Sequence, residues 1–250
     1  MESTHLGFRH LASVLCFGAY ALQATTFSVT RTNAAGPGSL PVIINQANAT
    51  PGDNVIEFAV TDPIVLVSPL PPITNNVTIN GRIGVPTVIS GGGAVPIFAF
   101  VAGTTNILSQ LVLTNGYTTG NGAAISNRGL LYVSGCRITG NRAPAASGGG
   151  IENLGSTTIA NSVLDGNSSS SGGSIHNAGV MSLSLVRIQG NSAGNGGGIA
   201  NAGNLSIDRT TLASKFVAFR RPLKTQAMDW PEDMAVAVAV VEEEAAMGVV

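Results

Sequence analysis

Four times between residues 125 and 203 the chain writes Ile-x-Asn-x-Gly: Ile125-Asn127-Gly129, Ile151-Asn153-Gly155, Ile175-Asn177-Gly179 and Ile199-Asn201-Gly203. The isoleucines are 26, 24 and 24 residues apart. Agreement extends well beyond the motif. Six and eight residues after each Ile stand Leu131/Val133, Thr157/Ile159, Met181/Leu183 and Leu205/Ile207, an alternation that reads as a short half-buried strand. Thirteen residues on come Ile138, Leu164, Ile188 and Leu212, and Gly140-Asn141, Gly166-Asn167 and Gly190-Asn191 close three of the units. A period near 24 residues means stacked supersecondary units, each burying its apolar face on the next.

Several repeat architectures are excluded by the residues inside the unit. Gly-Gly and Gly-Asn break any helix, and β-branched residues outnumber good helix formers. The Leu-x-x-Leu-x-Leu frame of leucine-rich repeats is absent. The glycines do not form a phosphate cradle, because neither Gly-x-x-x-x-Gly-Lys-Ser/Thr nor a Gly-x-Gly-x-x-Gly opening a helix occurs. What fits is an all-β chain: a right-handed parallel β-helix, with equivalent strands of successive coils paired at about 4.8 Å. Stacking then predicts an inner column of Ile125, Ile151, Ile175 and Ile199. It also predicts a ladder of side-chain amides at Asn127, Asn153, Asn177 and Asn201. Gly129, Gly155, Gly179 and Gly203, with Asn141, Asn167 and Asn191, are read as corners, where a positive φ suits Gly and is tolerated by Asn. Upstream, residues 76–81, 87–93, 97–102 and 111–116 read as strands ending in turns, which gives roughly six coils over residues 61–213.

A solenoid needs its ends covered. Residues 25–60 suit that role: a strand at Phe27–Thr30, a Gly-Pro-Gly turn, a short segment with Leu40, Ile43, Ile44 and Ala47 at helical spacing, a Pro-Gly-Asp turn and a strand at Val55–Val60. The helix is expected to lie across the end of the stack. Residues 1–21 read as an export signal, with an apolar run from Leu11 and an Ala19-Tyr20-Ala21 cleavage pattern. After its removal one thiol remains, Cys136, which can form no internal disulfide.

Gly38, Ser39, Leu40, Ile43, Ala47, Asn48, Gly52, Ile56 and Phe58 together resemble the N-terminal segment of bacterial exported right-handed β-helix proteins. Pro41 stands where that pattern usually has Arg. The Gly-Gly-x-Ile and Gly-Asn units resemble the repeats of polymorphic outer-membrane proteins and related autotransporter passengers, with Ile138, Leu164 and Ile188 in the usual Phe place. The resemblance spans residues 25–213. It implies a β-helix displayed at or beyond the cell surface, with an adhesin-like role toward host-surface or extracellular glycans or proteins.

The tail, residues 214–250, breaks the pattern: Ser214-Lys215 stands where a fifth Gly-Asn is due, and the only Trp follows. It reads as a cap, a partner-binding tail, or a foreign sequence joined by truncation or frameshift, the last making the chain a non-functional fragment.

With a formal net charge of −1 and 10% charged residues, nothing draws the chain to nucleic acid or an anionic membrane. No stretch of the mature chain is long and apolar enough to span a bilayer. No cofactor motif is present, and the Gly-Gly-x-Gly-x-Asp calcium repeat is missing, so neither cofactor nor metal is expected. β-Helices also carry polysaccharide lyases and glycoside hydrolases, which need paired acids or a base. Among the few acids only Glu152 has a plausible partner, His176, one coil on and in the same column. Asp165 falls in another column without an obvious partner, and Arg137 and Arg187 read as solvated surface. The expectation is a non-catalytic exported module, with a carbohydrate-active enzyme carried by Glu152 and His176 as the alternative.

Overall fold

In the computed structural model, residues 24–213 are described, together with the backbone of two further strands, Val217–Phe219 and Val238–Val240. The expected export signal and the rest of the tail lie outside the described residues. One turn shows the plan. Leu130–Ser134 is followed by Arg137–Thr139, then Arg142–Ser147, then Ile151–Asn153, and the chain comes back at Ser156–Ala160 directly beside Leu130–Ser134. The pairing is parallel, Leu131 on Thr157 and Val133 on Ile159. Repetition of this circuit builds a long sheet of eight strands, a second and a third sheet of seven strands each, and a short side sheet of three. The chain is a right-handed parallel β-helix of about seven turns. That exceeds the roughly six read from the repeat because Thr26–Val29 and Asn54–Phe58, inside the expected cap, already pair in the long sheet.

Stacking places like on like. Ile125, Ile151, Ile175 and Ile199 pair in register on the third sheet, and Ile138, Leu164, Ile188 and Leu212 on the second. Nearly all of these side chains are sealed from solvent, and they form one core running the length of the stack. The helix Leu40–Ala49 buries Leu40, Ile43, Ile44 and Ala47 into the end of that core. Pro41 sits in its first turn, where a missing N–H costs nothing. Asn54 and Asn75 close its other end, their side-chain amides donating to the Ala47 and Thr50 carbonyls.

The corner glycines divide into two kinds. Gly140 and Gly166 have φ of 65° and 62°, the left-handed region. Gly129, Gly155, Gly179 and Gly203 do not; there a Cβ would run into backbone carbonyls of the preceding turn, so the requirement is close approach. Asn141, Asn167 and Asn191 likewise lack positive φ. They are buried, and their corners turn on the glycine before them.

Candidate functional site

Two rows of buried amides thread the core. On the third sheet, Asn127 Nδ2 donates to Asn153 Oδ1 at 3.0 Å, Asn153 to Asn177 at 2.7 Å and Asn177 to Asn201 at 2.7 Å. At the Gly-Asn corners, Asn141 donates to Asn167 at 2.9 Å and Asn167 to Asn191 at 3.1 Å. The oxygens of this second row accept from backbone as well: Gly116 N–H reaches Asn141 Oδ1, and Asn141 N–H reaches Asn167 Oδ1. Inside a core, these bonds satisfy groups that would otherwise be costly to bury. This second row was written in the constant Gly-Asn offset, which a corner alone also explains.

The outward column of the third sheet is different. It runs Ser126, Glu152, His176, Ala200, one residue per turn. Glu152 is 3% exposed, and its Oε1 lies 3.4 Å from Nδ1 of His176, whose side chain keeps 22% of its surface. The contact does not meet hydrogen-bond geometry, and the buried Nδ1 has no hydrogen-bond partner among the described residues. With that edge of the ring facing Glu152, the opposite edge carries the exposure. A carboxylate behind an imidazole can fix the orientation of the ring.

His176 opens onto a groove of about 430 Å³ lined by Ser147, Ser171, Asn195, Ala200, Asn201 and Ala202. Its wall is the end of the side sheet, where Ser147 pairs with Ser171 and Ser171 with Asn195. The next residue makes the concave corner. At Gly172 φ is 66° and a Cβ would overlap the carbonyl of Ile175, so the side sheet folds tightly against the strand bearing His176. Gly148 and Gly196 repeat this one turn to either side. The serine–glycine phrase therefore builds the wall of a groove, a role that its glycines, read as plain corners, do not reveal.

The other polar candidates lie elsewhere. Asp165, which the column frame leaves without a partner, is held by Arg137 through two bonds, Nε to Oδ1 at 3.2 Å and Nη2 to Oδ2 at 2.6 Å. The pair is diagonal, one strand over and two residues along, which a column-by-column reading passes over. Burial alone would raise the Asp165 pKa; hydrogen bonds from Arg137 and Thr139, with the charges of Arg137 and Arg187, lower it overall. Arg187 Nε donates to Gln189 at 2.8 Å. Cys136 is buried, and desolvation pushes its thiol up to about 11. Among the described residues no three His, Cys, Asp or Glu side chains gather as a metal site would require, and no helix is long and apolar enough to cross a membrane.

The fold and groove define a parallel β-helix with a polar cleft on one flank. Compared with protein-family models the chain matches none, and compared with curated proteins it finds no match.

Proposed function

We propose that this protein is an exported, non-catalytic β-helix, an adhesin-like or passenger-type module that holds an elongated surface against extracellular partners. The observation that carries this reading is the outer face of the long sheet. There Ile107, Tyr132, Thr158, Ser182 and Ser206 stack in one column, with Ser109, Ser134, Ala160, Ser184 and Asp208 in the next. Between Glu57 near one end and Asp208 near the other, the outward positions of its strands carry no charge. Eight strands at about 4.8 Å make this face roughly 34 Å long. A regular, flat, weakly charged surface is suited to broad contact and offers no reaction centre. The signal-like residues 1–21 support export.

A second reading, a carbohydrate-active enzyme, is favoured by the Glu152–His176 contact in its groove. Wild type and Glu152→Gln incubated side by side with a panel of polymeric glycans separate the two. The contact module releases no new reducing ends in either. Turnover by the wild type that disappears in Glu152→Gln replaces it with the enzyme.

A further inference from the structure

The groove beside His176 combines a concave surface with polar groups ordered along the axis of the stack. Ser147, Ser171 and Asn195 occupy equivalent places on three successive turns, so their side chains form a row at the strand spacing, about 4.8 Å apart. None of the three is buried. Opposite them the floor is His176 and Ala200, again one residue per turn. The cavity is within the size range of small-molecule sites.

Its charge decides the ligand class. Among the described residues the lining holds no Lys, Arg, Asp or Glu, and its titratable group, His176, already turns its inner nitrogen to the buried carboxylate of Glu152. Among these residues an anionic ligand meets no free cation, and a cationic one no exposed carboxylate. Hydroxyl, amide and imidazole groups in a row match a ligand with hydroxyls in a row. Among the described residues the lining also lacks an aromatic side chain or a large aliphatic one, so an apolar ligand would gain little from them by entering.

We propose that this groove holds a neutral, hydroxyl-rich chain, a linear oligosaccharide lying along the solenoid axis across three turns. Ser147, Ser171 and Asn195 bond successive hydroxyls from one side. His176, with Glu152 3.4 Å behind its ring, reaches the sugar from the floor. Successive pyranose rings of an extended chain advance by about one strand spacing, so each turn meets one ring. The assignment rests on the contact-module reading in that the sugar is held and not cut.

Titration calorimetry on the full chain tests it, with cellohexaose, xylohexaose and a hexamer of N-acetylglucosamine as neutral probes and hexagalacturonate as the anionic one. At least one neutral probe binds. Ser171→Trp and the more exposed Asn195→Trp, both filling the groove, weaken that binding by about tenfold or more. Ser182→Trp, on the outer face of the long sheet, changes it by less than about twofold. Circular dichroism of each variant confirms the fold, and Asn195→Trp decides if Ser171→Trp does not fold. Failure of every neutral probe to bind overturns the assignment, as does binding of hexagalacturonate alone, or binding that a folded groove variant leaves unchanged. Chromatography of the titrated samples keeps the two claims apart. Cleavage of a probe that the groove variants abolish ends the non-catalytic reading and leaves the groove assignment standing.

Discussion

The turns after Ile125 are near copies of one another, whereas the turns before it are each held in a different way. Among the later turns a single residue type serves each place: Asn153 does in its turn what Asn177 does in the next. Among the earlier turns the same column holds Ile73 and then Phe100, which is paired with Asn127 and lies beside Phe98 at a ring separation of 5.9 Å. Amides work there too, but singly. Asn106 accepts from Val77 N–H and donates to Thr104, while Asn54 and Asn75 serve the end of the helix. Residue type is the cause. Asn54 lies beside Val77, and Val77 beside Asn106, so no amide recurs at one place on successive early turns, whereas Asn127, Asn153, Asn177 and Asn201 meet in register through turns of both 26 and 24 residues. A recurring amide permits a ladder; a lone one requires a separate partner.

The largest expected effect follows from that contrast. Asn153→Ala removes a side chain that accepts from Asn127 and Thr157 and donates to Asn177 and to the Val180 carbonyl. It takes the donor away from Asn177 Oδ1 and from the Val180 carbonyl and an acceptor away from Thr157, a loss of about 3–5 kcal/mol at about 1–3 per group. Asn75→Ala, at a half-buried position where Asn54 bonds the same two carbonyls, costs about 1 kcal/mol. Urea denaturation of the two variants measures the difference. Equal losses would show that the ladder is no more than a sum of ordinary bonds.

The glycines sharpen the comparison within the regular turns. Gly172→Ala meets both a left-handed φ and the Ile175 carbonyl, and its cost is about 3 kcal/mol or more, close to the upper range for strained backbone. Gly166→Ala meets a similar φ of 62° in open space, its nearest atom 3.8 Å away, and costs about 1 kcal/mol. Thermal melts rank them. Reversal of the order would mean that the groove corner can relax.

A smaller effect has the opposite sign. At the corner after five of the eight long-sheet strands φ is positive; Gln110, Asn161, Leu185 and Arg209 take it without being glycine, where the equivalent Gly135 does so without strain. Leu185 is 47% exposed, so its side chain contributes little burial. Leu185→Gly is therefore expected to stabilise the chain by about 1 kcal/mol, read as a higher urea midpoint. A lower midpoint would assign that leucine a packing role.

How far the sequence discloses this molecule follows the same division. From Ile125 onward strand positions, facing and stacking all follow from one constant offset, and the helix Leu40–Ala49 follows from its apolar spacing. What escapes is whatever depends on two offsets at once. The Arg137–Asp165 pair crosses columns, and the groove needs the side-sheet wall and the third-sheet floor to be placed together. Ser147, Ser171 and Asn195 recur just before the conspicuous glycines, yet only the concave corner at Gly172 gives that recurrence a purpose. Glu152 and His176 are adjacent by offset alone, but burial of the acid shows only in the structure.

The weakest expected effect tests whether charge contributes to holding turns together. Arg137 is 56% exposed in its side chain and Asp165 15%, so solvent screens the pair, and Arg137→Ala should cost less than about 1 kcal/mol at neutral pH. Its pH dependence is the more telling signature. The folded state lowers the Asp165 pKa, so the contribution is fully present above the unfolded value of about 3.9 and is lost as pH falls through the lower folded value. The gap between wild type and Arg137→Ala should therefore be open at pH 7 and close in the acid range below about 4. A gap that persists unchanged into acid would mean that the arginine acts through the packing of its aliphatic stem along the second sheet, where Val112 and Val163 are its column neighbours, and that these turns are joined by shape and hydrogen bonds alone.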